Sequence, residues 1–201
     1  MTSLRNNIGA EPSTMSDRLL AAARESIVAV GWKRTTLTDV AGRAGVSRMT
    51  VYRTYPDMAT LLADLMTREW TGLVAQVADA VEPAHEWPGR IASAVAGTVA
   101  ALRVNALFRR MMDVDPEWML PYLIDRRGRS QDAVLDALGE QIAQAQTAGG
   151  VRAGDPVLLA RSVLLAAHGF AISGHTMADA DVSLTTLDDE LTDLVRRYLA
   201  S

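Results

Sequence analysis

The feature that most constrains this chain is a pair of helix stops set close together near its amino end. Thr36 stands three residues before Asp39, the spacing at which a threonine hydroxyl and a carboxylate satisfy each other's free backbone donors at a helix start. Val40, Ala41 and Ala44 supply a short buried face. Gly45 ends the segment, because glycine enters the left-handed conformation without steric cost. After only Val46, Ser47 can cap another helix with Val51 and Tyr52 near its centre, and Tyr55 and Pro56 close it. Residues 36–54 thus have the length and punctuation of two short helices joined by a tight turn. Ala41 is small where the two would cross, Gly45 permits the turn, and Val51 anchors the second helix in the core.

The pattern on either side is helical too. Before the motif, Ser16 is a plausible cap for a helix carrying Leu20, Ala23, Ile27 and Val30 on one face, ended by Gly31 in a left-handed turn. After it, Asp57 caps a long helix whose apolar period (Leu62, Leu65, Met66, Leu73, Val77, Val81) runs to about residue 82. Pro83 to Pro88 read as a loop and Gly89 to Leu102 as an Ala-rich helix. Two short helices follow, broken at Asp115 and Pro116. Ser130 opens a helix with Val134, Leu138, Ile142 and Ala145 on one face, stopped at Gly149 and Gly150. Asp155 followed by Pro156 starts an apolar helix to about Gly174. The last helix, roughly 187–199, shows Leu187, Leu191, Leu194 and Tyr198.

With 201 residues, 49% of them hydrophobic and only 5% aromatic, the expectation is an all-α chain large enough for a sizeable core rather than a β-sandwich or barrel. The absence of cysteine excludes disulfides, thiolate zinc sites and cysteine nucleophiles, and fits a cytoplasmic setting. The stretch 162–178, interrupted by His168, His175 and two glycines, reads as too short and polar to span a bilayer, so no membrane association is expected.

Net charge is −4, but it is unevenly spread. Residues 1–60 carry eight basic side chains against five acidic, and the remainder carries 12 against 19. A basic head on an acidic body can meet phosphate, because steering depends on the field within a Debye length of about 10 Å. The exposed face expected for the helix after Ser47 is Arg48, Met49, Tyr52 and Arg53, with Thr50 at its shoulder. Such side chains suit a duplex: arginine pairs with guanine edges or phosphate, hydroxyls hold phosphate, and methionine can touch a thymine methyl.

The stretch 16–65, above all TTLTDVAGRAGVSRMTVYRTYPDMATL at 35–61, resembles the DNA-binding domain of the TetR family of bacterial regulators. The likeness lies in the Thr-Thr pair, Asp-Val-Ala, Ala-Gly-Val-Ser at the turn, Thr-Val-Tyr, and the aromatic and proline before the long helix. Residues 1–15, rich in Ser, Thr, Asn and Gly with no period, read as a flexible arm, and the likeness implies a helix-turn-helix DNA-binding domain (16–60) and a helical effector-binding and dimerisation domain (61–201). It further implies a homodimer on a near-palindromic double-stranded operator, with a small-molecule effector that moves the long helix and releases DNA. Carried over by position, Thr38 would reach DNA from the first helix of the motif. Arg48 and Met49 would meet base edges, Thr50 and Tyr52 would hold phosphates, and Arg53 would touch the backbone or an outer base. One departure stands out: where the family usually has a lysine at the start of the long helix, this chain has Met58, preceded by Asp57. Lys33, Arg34 and an arm bearing Arg5 would have to compensate.

Other side chains have plainer readings. Tyr55 suits core packing, and Thr36 with Asp39 is a cap rather than a DNA contact. His168 and His175 lack a fixed third ligand, so no metal site follows, and His85 has no evident partner. No cofactor motif, nucleophile–base pair or spaced carboxylate pair appears, so an enzyme is not expected. Phe108, Met111, Met112, Trp118, Met119 and Tyr122 cluster around the broken middle helices, where a ligand cavity could open, and Trp70 on the long helix could sense a ligand. Arg103, Asn105, Arg109 or His168 would be its polar contacts, although such a stripe also suits plain core. The reading is therefore a ligand-responsive transcription regulator, a repressor released by a small apolar ligand. The alternatives are a DNA-binding regulator or activator without an inducer pocket, or a helical enzyme or ligand-binding protein whose basic head is vestigial.

Overall fold

The computed structural model describes residues 14–82 and 86–201, and for Trp118 the backbone only. The arm up to residue 13 with Arg5, His85, and the side chain of Trp118 lie outside the described residues. Of the described residues 79% are helical, and none is in a strand. The helices, in chain order among the described residues, are α1 Met15–Val30, α2 Leu37–Ala44, α3 Arg48–Thr54, α4 Met58–Ala80, α5 Trp87–Val104, α6 Ala106–Val114, α7 Pro116–Ile124, α8 Arg129–Thr147, α9 Pro156–Met177 and α10 Leu184–Leu199. They fall into two compact units, one ending at Leu65 and one beginning at Met66, so the division lies inside α4.

The amino-terminal unit is built on local chemistry. Thr14, not Ser16, caps α1: its hydroxyl accepts from the Asp17 backbone N–H at 3.1 Å, and the Asp17 carboxylate accepts from the Thr14 N–H at 2.9 Å. The Thr-x-x-Asp spacing that signals this cap lies two residues upstream of the expected start. Ser16 instead shares a 2.6 Å hydrogen bond with the hydroxyl of buried Tyr55, tying α1 to the end of α3. Burial pushes the Tyr55 phenol above its ordinary value. Gly31 does have positive φ (88°), but its ψ of 163° is extended, so it terminates α1 without a left-handed turn. Leu19, Ala23, Ile27, Leu37, Val40, Ala41 and Val51 form the interior of this unit, and the larger of these buried side chains each contribute about 1.5–3 kcal/mol.

The second unit packs α5, α8, α9 and α10 around one core. Ile91, Ala92, Ala96 and Val99 of α5 meet Leu191, Val195 and Leu199 of α10, while Leu135, Ile142 and Ala145 of α8 meet the Leu159, Ala160, Val163 and Ala167 face of α9. The buried face of α10 thus runs through Val195 rather than Leu194, which is 47% exposed. Both the 191, 195, 199 stripe and the expected 187, 191, 194, 198 set follow a helical period, and packing against α5 selects the first. Two polar groups expected at a cavity are used internally. Asn105 caps α6, accepting from the Leu107 and Phe108 N–H groups at 2.9 and 3.2 Å. Arg103 is buried, ion-paired with Asp188 of α10, and donates to the Phe170 carbonyl of α9 at 3.4 Å. At 22 residues, α9 is longer than the stretch 162–178 suggested, and by length and composition alone it could cross a membrane.

Candidate nucleic-acid interface

The capping box at Thr36 and Asp39 forms as the spacing predicts. The Asp39 carboxylate accepts from the Thr36 N–H at 2.9 Å and from its hydroxyl at 2.6 Å, and the hydroxyl accepts from the Asp39 N–H at 3.2 Å. These bonds hold the Asp39 carboxyl below its ordinary value and commit it to the cap. At the other end of α2, Gly45 is left-handed (φ 66°, ψ 36°). Its N–H reaches the Gly42 carbonyl at 3.2 Å, and that of Val46 reaches Ala41 at 3.0 Å, a reciprocal closure that satisfies two helix-end carbonyls. Ser47 then caps α3, accepting from the Thr50 N–H at 3.1 Å. The turn between α2 and α3 is therefore determined by three consecutive local devices.

This closure fixes how α3 is presented. Val51 is fully buried, which pins the inner side of the helix, and the opposite side carries Arg48, Met49, Tyr52 and Arg53, all exposed. Met49 is 78% and Tyr52 52% exposed, unusual for large apolar and aromatic groups. Thr38 of α2 and Thr50 are half-buried, and the Thr50 hydroxyl is engaged with that of Ser47 at 2.9 Å. Lys33 is exposed on the turn before α2. Met58, in the place of a family lysine, is half-buried.

The basic side chains of this unit divide into two sets. Arg18 donates to the Ala44 carbonyl at 2.9 Å, and Arg43 donates to Ser26 at 3.1 Å and pairs with Glu25 at 3.3 Å, so both serve to bind α1 and α2 together. Arg34, Arg48 and Arg53 have no partner among the described residues. Two of the three lie on α3, which contains no acidic residue. At seven residues the helix is about 10 Å long, a length that enters a major groove about 12 Å wide.

In the second unit, the residues expected around a ligand are distributed rather than gathered. Trp70 and Phe108 pack edge to face, with ring centroids 6.1 Å apart, and Phe108 and Met111 are buried. Arg109 is exposed and Met112 half-buried. Tyr122 and His168, however, both line a cavity of about 560 Å³ between α7, α8 and α9. Burial holds the His168 imidazole below its ordinary value, so the neutral ring is favoured there. Arg126, Gln131 and Arg161 also line this cavity; no sequence signal joined them, because they come from separate elements.

An all-helical chain whose amino-terminal helix-turn-helix shows a bare cationic face, followed by a larger helical unit, belongs structurally to the class of DNA-binding regulators. Residues 19–65 match the family model described as "Bacterial regulatory proteins, tetR family". Uncharacterized HTH-type transcriptional regulators of Mycobacterium tuberculosis and Mycobacterium bovis are 32% identical over 182 residues, spanning 90% of this chain and 93% of theirs. The chain belongs to the TetR family of bacterial transcriptional regulators. Among solved structures, the TetR family repressor AlkX from Dietzia sp., implicated in biodegradation of n-alkanes, superposes with a TM-score of 0.70 at 16% identity, covering 94% of this chain and 97% of its own. FadR from Bacillus subtilis in complex with stearoyl-CoA gives 0.62 at 14% identity, covering 90% and 98%.

Proposed function

We propose that this regulator is a repressor that binds a near-palindromic operator as a homodimer and leaves it when a small ligand with an apolar body enters the carboxy-terminal unit. The observation that carries the DNA half is the set of guanidinium groups on α3 with no partner among the described residues. Arginines that stabilise nothing within the fold, beside an exposed methionine and tyrosine, are what base and phosphate contacts require. Arg48 and Met49 meet base edges, and Thr50 and Tyr52 hold phosphates. Arg53 holds phosphate or an outer base, and Thr38 and Lys33 approach from the flank.

Dimerisation is supported by α9 and α10. Val157, Leu158, Leu165 and Met177 of α9 and Leu194 of α10 are exposed, at 47–72% of their surface. A second copy of the chain would cover them, and two-fold symmetry would then place two α3 helices on one operator. The effector half is supported by the cavity lined by Tyr122 and His168 and by the ligand held by the fold relative FadR. Trp70 and Phe108, packed edge to face, and half-buried Met112 are further apolar groups that an effector could rearrange. Footprinting on DNA flanking the gene, together with light scattering of the free protein, tests the reading. A protected palindromic site and a dimer mass support it. A monomer at micromolar concentration, or no protected site at low salt, overturns it.

A further inference from the structure

The cavity between α7, α8 and α9 is not simply apolar. Leu123, Leu135 and Leu164 contribute its hydrocarbon surface, but three arginines, Arg126, Arg127 and Arg161, also line it. Arg127 is neutralised by Asp132 at 2.8 Å. Arg126 lies over the Tyr122 ring at 5.3 Å and has no carboxylate partner among the described residues, and Arg161 has no partner there at all. The remaining carboxylate of the lining, Asp125, is exposed on the turn after α7, and His168 favours its neutral form. The cationic rim is also held in place. Gln131 donates from Nε2 to the Tyr122 carbonyl at 3.0 Å and accepts from the Gly128 N–H at 2.8 Å, closing the turn that carries Arg126 and Arg127. That closure favours glycine at 128, since a Cβ there would lie 3.0 Å from the Tyr122 ring.

The geometry points to an anionic amphiphile as the effector: a molecule with a carboxylate or phosphate head held between Arg126 and Arg161 and an aliphatic or aryl body lying against the leucines. This rests on the reading of the second unit as an effector domain and adds the charged head that the apolar expectation lacked. Both guanidinium groups are exposed at the mouth of the cavity, so an anion can exchange their water for charge-assisted hydrogen bonds, a gain that a wholly apolar ligand does not offer.

The test is calorimetric titration of the full chain with decanoate, decyl phosphate and decanol, which share one tail and differ in the head. Decanoate or decyl phosphate is expected to bind at least about ten-fold more tightly than decanol, and the stronger of the two identifies the head. Arg126→Gln and Arg161→Gln should each weaken the preferred anion by about ten-fold while changing decanol affinity less than about two-fold, a pattern that unfolding cannot imitate because it would remove both. Equal affinity for decanol and the anions, no binding by any probe, or anion binding indifferent to both substitutions would overturn the inference. Operator binding by the same preparation separates the outcomes: a protein that protects DNA but fails these titrations keeps its regulatory reading and loses only this effector class.

Discussion

Two glycines three residues apart in α2 and its turn should respond to the same substitution with opposite signs. Gly42 lies inside the helix, exposed, with no atom within 4 Å of the place where a Cβ would stand, so Gly42→Ala removes backbone freedom from the unfolded chain and meets no obstruction. It should stabilise the motif by about 0.5–1 kcal/mol. Gly45 also has nothing within 4 Å, but its φ of +66° sets an alanine Cβ against its own backbone. Gly45→Ala should therefore cost about 1–2 kcal/mol, and Gly45→Asn less, since asparagine tolerates this conformation. The gap between the two alanine variants is about 2 kcal/mol, or roughly thirty-fold in the local opening constant. Amide hydrogen exchange at α2 and α3 reads that constant directly and does not require the whole chain to unfold in one step. If Gly45→Ala slows exchange as Gly42→Ala does, the left-handed closure between Ala41 and Val46 is not what holds the turn.

The Arg103–Asp188 pair ties α5 to α10 in a buried setting, and one Asp188 oxygen, Oδ1, has no hydrogen-bond partner among the described residues. Arg103→Met should therefore destabilise by about 3–5 kcal/mol by stranding the carboxylate, while Arg103→Met with Asp188→Leu recovers much of the loss; urea denaturation of the three variants checks this, and additive losses would contradict it. For His168, whose folded pKa lies below the ordinary 6.5, the unfolded chain takes up the proton first. Its contribution is complete above pH 6.5 and is lost as pH falls toward the folded value. As pH is lowered from neutral into the mildly acidic range, His168→Gln should thus gain on the parent in denaturant midpoint, and a difference independent of pH would show that the imidazole does not titrate in this way.

What could be read from residues in order were the devices that close within a few positions. Thr36 with Asp39, Gly45, Ser47 and the Asp155–Pro156 start depend on neighbours three or four residues away, and all formed where their spacing placed them. The same logic applies to Thr14 with Asp17, whereas Ser16, which has the composition of a cap, answers instead to Tyr55, 39 residues on. Long-range choices were not legible. Arg103 is claimed by Asp188, 85 positions away, so a residue that looks free for a ligand is part of the scaffold. The cavity is likewise assembled from α7, α8 and α9 by packing, and no periodicity along one helix could join Arg126 to Arg161. On α10, both Leu194 and Val195 satisfy a helical period, and only packing against α5 decides that Val195 turns inward.

The central claim is that the free guanidinium groups of α3 meet a duplex, and the slope of log K against log salt concentration for operator binding measures it most directly. Each phosphate held contributes about 0.9 to that slope, so Arg53→Ala should lower its steepness by about one unit for every phosphate that a protomer no longer holds, whereas Arg48 stands at base edges. Loss of that base-reading group in Arg48→Ala should instead cost about 1–3 kcal/mol at one base pair with the slope kept. Wild-type affinity and slope in both variants would contradict the assignment of α3 as the helix that enters the groove.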